Sequence, residues 1–218
     1  MLLAAVISAG RAMAEERLDD LTPPPALLGQ RSLDDAGRTL RSVVGLRRAA
    51  PFPESVATFH IYLLNSEGAA RWLVSAAAPP RGGKCTDVAL VAFSVLRTGQ
   101  HFYPEIASKP NVSTACLDSS IVVGITNAIR PMVLAASFSG SPPSGLDGDR
   151  YCFLSFVYGH GFLEGDTSNL EGLGTRRRAL TDIADTLVET LSGKLAKSAA
   201  ESRLRGLVHR LRDVPHQL

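Results

Sequence analysis

Apolar positions repeat most regularly near the end of the chain. Leu180, Ile183, Ala184, Leu187, Val188 and Leu191 recur at intervals of three and four residues, which predicts an amphipathic helix with one face turned to a core. Ser192-Gly193 supplies its stop. Leu204, Leu207, Val208 and Leu211 predict a second amphipathic helix, running until Pro215.

Before these helices the pattern changes to short apolar runs bounded by turn residues, the signature of strands. Residues 56–64 and 70–76 predict a hairpin around Asn65-Ser66-Glu67-Gly68, whose glycine supplies the positive φ such a turn favours. Residues 87–96 and 150–158 predict two further strands. The longest apolar stretch is 119–140. It splits into runs at 121–125 and 132–138 around Thr126-Asn127-Ala128-Ile129-Arg130-Pro131, which reads as a hairpin at the centre of the sheet. Residues 97–114, interrupted by Gly99, Pro104 and Pro110, read as a long loop. After Gly159-His160-Gly161, the segment with Gly165, Gly172 and Gly174 reads as a polar connection. Together these elements predict one α+β domain: a mainly antiparallel sheet of five to six strands packed against C-terminal amphipathic helices.

The domain is assigned to residues 55–218. Residues 15–54 form a Pro-rich arm, broken by Pro23-Pro24-Pro25, Pro51 and Pro53, with a short helix that Ser32 caps, ending near Val44. Residues 1–14 fit the back half of a secretory signal, an apolar Leu2-Leu3-Ala4-Ala5-Val6-Ile7 followed by Ala12-Met13-Ala14 and then Glu15-Glu16. They fit an N-terminal amphipathic helix nearly as well, because no basic residue precedes the apolar run. The first reading places the protein in the periplasm or outside the cell; an intact Met1 would place it in the cytoplasm.

Composition narrows the class further. The chain has 218 residues, 45% hydrophobic and 20% charged, with a formal net charge of +2, an ordinary globular balance that gives no reason to expect nucleic acid. No uninterrupted apolar run reaches the roughly 20 residues that cross a bilayer, so no transmembrane span is expected. Three cysteines, without zinc spacing, predict no metal site. In an oxidising compartment they predict one disulfide, Cys85 with Cys116, and a buried Cys152.

Candidate chemistry falls in three places. The turn Gly172-Leu173-Gly174-Thr175-Arg176-Arg177-Arg178 enters a helix, whose free N–H groups attract anions, and three arginines there oppose the helix dipole unless an anion is near. A phosphorylated or other anionic ligand is the expectation for that turn, against a plain solvated arginine run. Cys85 or Cys152 with His60, His101 or His160 is a candidate nucleophile and base pair for a hydrolase. His101, Tyr103 and Glu105 on the long loop, and Arg203, Arg205, Arg210 and Arg212 on the last helix, are candidate contacts for a protein partner or an anionic membrane surface. Residues 193–218 carry six basic residues against two acidic ones. No G-x-S-x-G, H-E-x-x-H or Walker loop occurs and no cofactor is expected, so the leading expectation is a noncatalytic binding or assembly protein.

Overall fold

The computed structural model of the chain describes residues 57–64, 71–98, 101–105, 111–138, 149–168 and 175–213, together with Leu21 and Phe52. The signal-like segment, the short helix near Ser32 and the glycines Gly172 and Gly174 lie outside these residues. Among the described residues seven strands and three helices follow in order: β1 (Ala57–Leu64), β2 (Arg71–Ala77), β3 (Cys85–Thr98), β4 (His101–Glu105), β5 (Val112–Asp118), α1 (Ser119–Phe138), β6 (Arg150–Val157), β7 (Gly161–Ser168), α2 (Thr175–Leu191) and α3 (Lys197–Asp213). The sheet is antiparallel. Six strands run β4-β3-β2-β1-β6-β7, and β5 is added alongside β3. The protein is a single α+β domain, as the strand and helix patterns predict.

Register explains the core. Ile61 faces Val74 on one neighbour and Phe153 on the other, and these side chains join Phe59, Ala76, Val88, Leu90 and Tyr151 on the face that meets the helices. Side chains one residue out of phase point the other way. There Tyr62, Leu73, Val91, Cys152 and Leu154 form a second apolar cluster, to which none of the described helices contributes. Ala179, Leu180, Ile183, Ala184, Leu187 and Leu191 of α2 are buried in the first cluster with Leu204, Leu207, Val208 and Leu211 of α3, so both predicted apolar faces serve packing. Gly193, at φ 76°, ends α2: its N–H donates to the Thr190 carbonyl and that of Lys194 to the Glu189 carbonyl.

The stretch read as a central hairpin is instead the 20-residue helix α1. Its buried positions, Ile121, Val122, Ile125, Ile129, Met132, Val133 and Ala136, have helical spacing, while Val123 is 42% exposed. Two features had favoured strand: a Val/Ile-rich run and an Asn…Pro pair resembling a turn. The helix starts at Asp118, whose Oδ1 accepts from the Ser120 N–H at 2.8 Å and the Ser120 hydroxyl at 2.6 Å. These bonds, with Arg205 beside them, hold the Asp118 carboxyl below its usual range. Pro131 lies inside the helix, where it offers no N–H to the Asn127 carbonyl. By length and composition alone α1 could span a membrane, but half of the window Ser119–Ala136 is buried within the domain. It is the one helix among the described residues that is long and apolar enough to cross a membrane.

Two further stretches carry more strand than their sequence suggests. The predicted loop 97–114 contains β4 and the start of β5, and His101, Tyr103 and Glu105 sit on β4 opposite Thr98, Leu96 and Ser94. Backbone pairing with the long β3 overrides the local breaking tendency of Pro104, which sits opposite Val95. The polar connection after Gly159 begins as β7, paired with β6 from Val157↔Gly161 to Arg150↔Ser168. Its polar side chains had masked a strand that lies over the helices: a Cβ on Gly165 would stand 3.0 Å from Ala136 and from Leu21, which is 1% exposed. Leu21 thereby brings a residue from far upstream into the core.

The helices approach closely. Asp118 lies against Glu201 and Arg205, and Gly124 against Val208, so α1 and α3 run in the same direction. A Cβ on Gly124 would meet Val208 Cγ1 at 2.9 Å. On the opposite side of α2, the Tyr151 hydroxyl donates to Asp185 Oδ1 at 3.1 Å. Burial pushes the Asp185 carboxyl above its ordinary 3.8, an effect that the Tyr151 bond partly offsets and the nearby Asp182 and Glu189 reinforce. A raised folded-state value means that this group favours folding below its ordinary value and that the benefit is lost as pH rises through the folded one. Asp185→Asn is therefore expected to melt about 2 °C higher than the parent at pH 7 and to match it below about pH 4. Calorimetry across that range checks both limits.

Candidate functional site

The antiparallel α2–α3 pair brings the start of α2 to the end of α3, and the parallel α1 brings its second half to the same place. There Arg176 of α2, Leu211 and Arg212 of α3, and Asn127, Ala128 and Pro131 of α1 line a small open cavity of about 200 Å³. Two arginines from different helices thus line one recess with an asparagine. Arg178, Arg210 and Arg212 are exposed and in no ion pair among the described residues. Together with Arg176 they form a basic end of the helical layer.

The electrostatics favour an anion here. The first turn of α2 contains Arg176, Arg177 and Arg178 and no acidic residue, so cations sit where the helix dipole is already positive. Arg210 and Arg212 sit at the end of α3, where the dipole attracts them. The cavity is below the roughly 300 Å³ at which small-molecule pockets usually begin, and so suits one anionic group rather than a whole cofactor. Arg177 differs from its neighbours: it is 8% exposed and belongs to the interior, not to a solvated run. Thr175 is exposed at the helix start.

The structure redistributes the other candidates. Cys85 is joined to Cys116, with Cα atoms 5.4 Å apart, so it has no thiol to act as nucleophile. Cys152 lies outside that bond, buried on β6 as expected. His160 is exposed in the β6–β7 turn, about 17 Å along the strand from Cys152 at ~3.3 Å per residue, and the two are not brought together. His60 is closer to Cys152, diagonally across β1 and β6 on the second face, and its Nδ1 shares a 2.9 Å hydrogen bond with Ser75 Oγ. Both His60 and Ser75 are fully buried, so the pair holds the sheet together without access for a substrate. Among the described residues, no group of three or more His, Cys, Asp or Glu is placed to hold a metal ion.

Three of the five lysines and arginines of the last helix are already in ion pairs. Arg205 pairs with Asp118 at 2.9 Å, Arg203 with Glu189 at 3.4 Å and Lys197 with Glu201 at 3.8 Å. Arg203 and Arg205 therefore tie α3 to α2 and to the start of α1, which leaves Arg210 and Arg212 as its outward cations. Sequence reasoning had placed Arg176 and Arg212 in separate candidate sites and had missed Asn127; only the packing of three helices unites them. Comparisons with protein-family models, with curated proteins and with solved structures return no match.

Proposed function

We propose that this is a noncatalytic binding protein of an oxidising compartment, periplasmic or secreted, which holds an anionic group of its ligand or partner at the basic end of the helical layer. The observation that carries the reading is the convergence of Arg176 and Arg212, from two helices, on one open cavity beside Asn127. A recess lined by cationic side chains from two helices concentrates positive potential, which favours an anionic group there. The Cys85–Cys116 disulfide supports the compartment, because such bonds persist where thiols are not kept reduced.

Inorganic phosphate, titrated at matched ionic strength against chloride, tests the site. At ten times its dissociation constant a bound anion adds about 1.4 kcal/mol, expected as a rise of about 3–5 °C in melting temperature. Arg176→Gln with Arg212→Gln should abolish the rise, while Arg203→Gln should leave it intact. A parent protein that melts identically in phosphate and chloride would remove the basis of this reading.

A further inference from the structure

One margin of the sheet is open. Among the described residues β5 has a single strand neighbour, β3, in a register running from Cys85↔Asp118 to Val91↔Val112. Antiparallel partners alternate between residues that bond each other and residues whose N–H and C=O point away. The Ser119 N–H donates to the Lys84 carbonyl, which sets the phase: Leu117, Ala115 and Ser113 bond inward to β3. Asp118, Cys116, Thr114 and Val112 then point outward. The next feature agrees, since the Asp118 N–H donates instead to Glu201 Oε1 at 3.0 Å. That carboxylate closes the end of the margin, and the outward groups of Val112, Thr114 and Cys116 have no partner among the described residues. Thr114 is exposed and Val112 is 41% exposed.

We propose that this margin pairs with the same margin of a second copy of the chain, antiparallel, across a twofold axis at Thr114. That axis sets Thr114 opposite Thr114, and Val112 opposite Cys116 twice, so every outward N–H and C=O of the three residues gains a partner. Residues 112–117 carry no charge, so no like charges meet, and the devices that normally keep sheet margins apart, lysine, proline or a bulge, are missing from them. The run ends at Asp118, whose N–H is already taken by Glu201. Such a contact is isologous and closed, which gives dimers rather than fibres.

Amide exchange read residue by residue at low and high protein concentration tests the pairing in the unaltered protein. The Thr114 and Cys116 amides are expected to become protected as concentration rises, while Ser113 and Ala115, bonded to β3, stay protected throughout. Sedimentation should show a monomer–dimer equilibrium, and Thr114→Pro, which removes one outward donor, should shift it to monomer. Concentration-independent exchange at Thr114 and Cys116 would overturn the proposal. So would a parent protein that sediments as monomer throughout; the margin would then be open to an extended peptide of another protein instead. A dimer that survives in Thr114→Pro with these amides unprotected would place the interface elsewhere.

Discussion

Replacing Cys85 and Cys116 together by serine is expected to lower the unfolding free energy by about 4 kcal/mol. The bond closes a loop of 31 residues, and the chain-entropy relation gives that value for a loop of this length. For a domain of this size the loss corresponds to roughly 8–15 °C in melting temperature. The position of the bond makes the effect readable. It ties the first residue of β3 to β5 two residues before the Asp118 cap, so it anchors the passage from sheet into α1. Calorimetry of the double variant measures the loss, and a shift under about 2 °C would show that the loop is held as tightly by its strand pairing alone.

Ile129→Ala should cost about 3–4 kcal/mol, because Ile129 is fully buried in the main core cluster and its removal leaves a cavity. Its neighbours on α1 supply the control. Val122 is 0% exposed and Val123 is 42% exposed, so Val122→Ala should destabilise by about 1–2 kcal/mol and Val123→Ala by less than about 0.5 kcal/mol. A strand would put 121, 123 and 125 on one side and reverse the cost at Val123. Urea unfolding of the three variants therefore measures the helical phase as well as the packing.

How much of this was legible in the sequence depends on what kind of signal each part carries. The β1–β2 hairpin, β3, β6 and both terminal helices were readable because their apolar spacing matches their final structure and turn residues mark their ends. The disulfide was readable because two of three cysteines lay outside apolar runs. Helix α1 was misread for a physical reason: Ile121, Val122, Val123 and Ile125 are strand formers in isolation, and a helix buried along one face leaves few polar residues to reveal its period. Its cap, Asp118-Ser119-Ser120, is the local signal of a helix start in that stretch. β4 and β7 depend on pairing with distant strands, which no local pattern encodes. The cavity required three helices to meet, and for that reason Arg176 and Arg212 looked unrelated along the chain.

The position of β1 has a further consequence for synthesis. Among the described residues it is the first strand of the sheet, yet β6 completes its second side only after α1 has been made. A ribosome adding roughly 5–20 residues per second needs about 5–20 s to pass from Asn65 to Val157. Throughout that interval the nascent β1 presents Phe59, Ile61 and a row of unbonded amides to the surrounding solution. The emerging chain is therefore expected to recruit holding chaperones until β6 arrives, and ribosome profiling of chaperone-bound chains should show the association ending soon after Val157 leaves the exit tunnel.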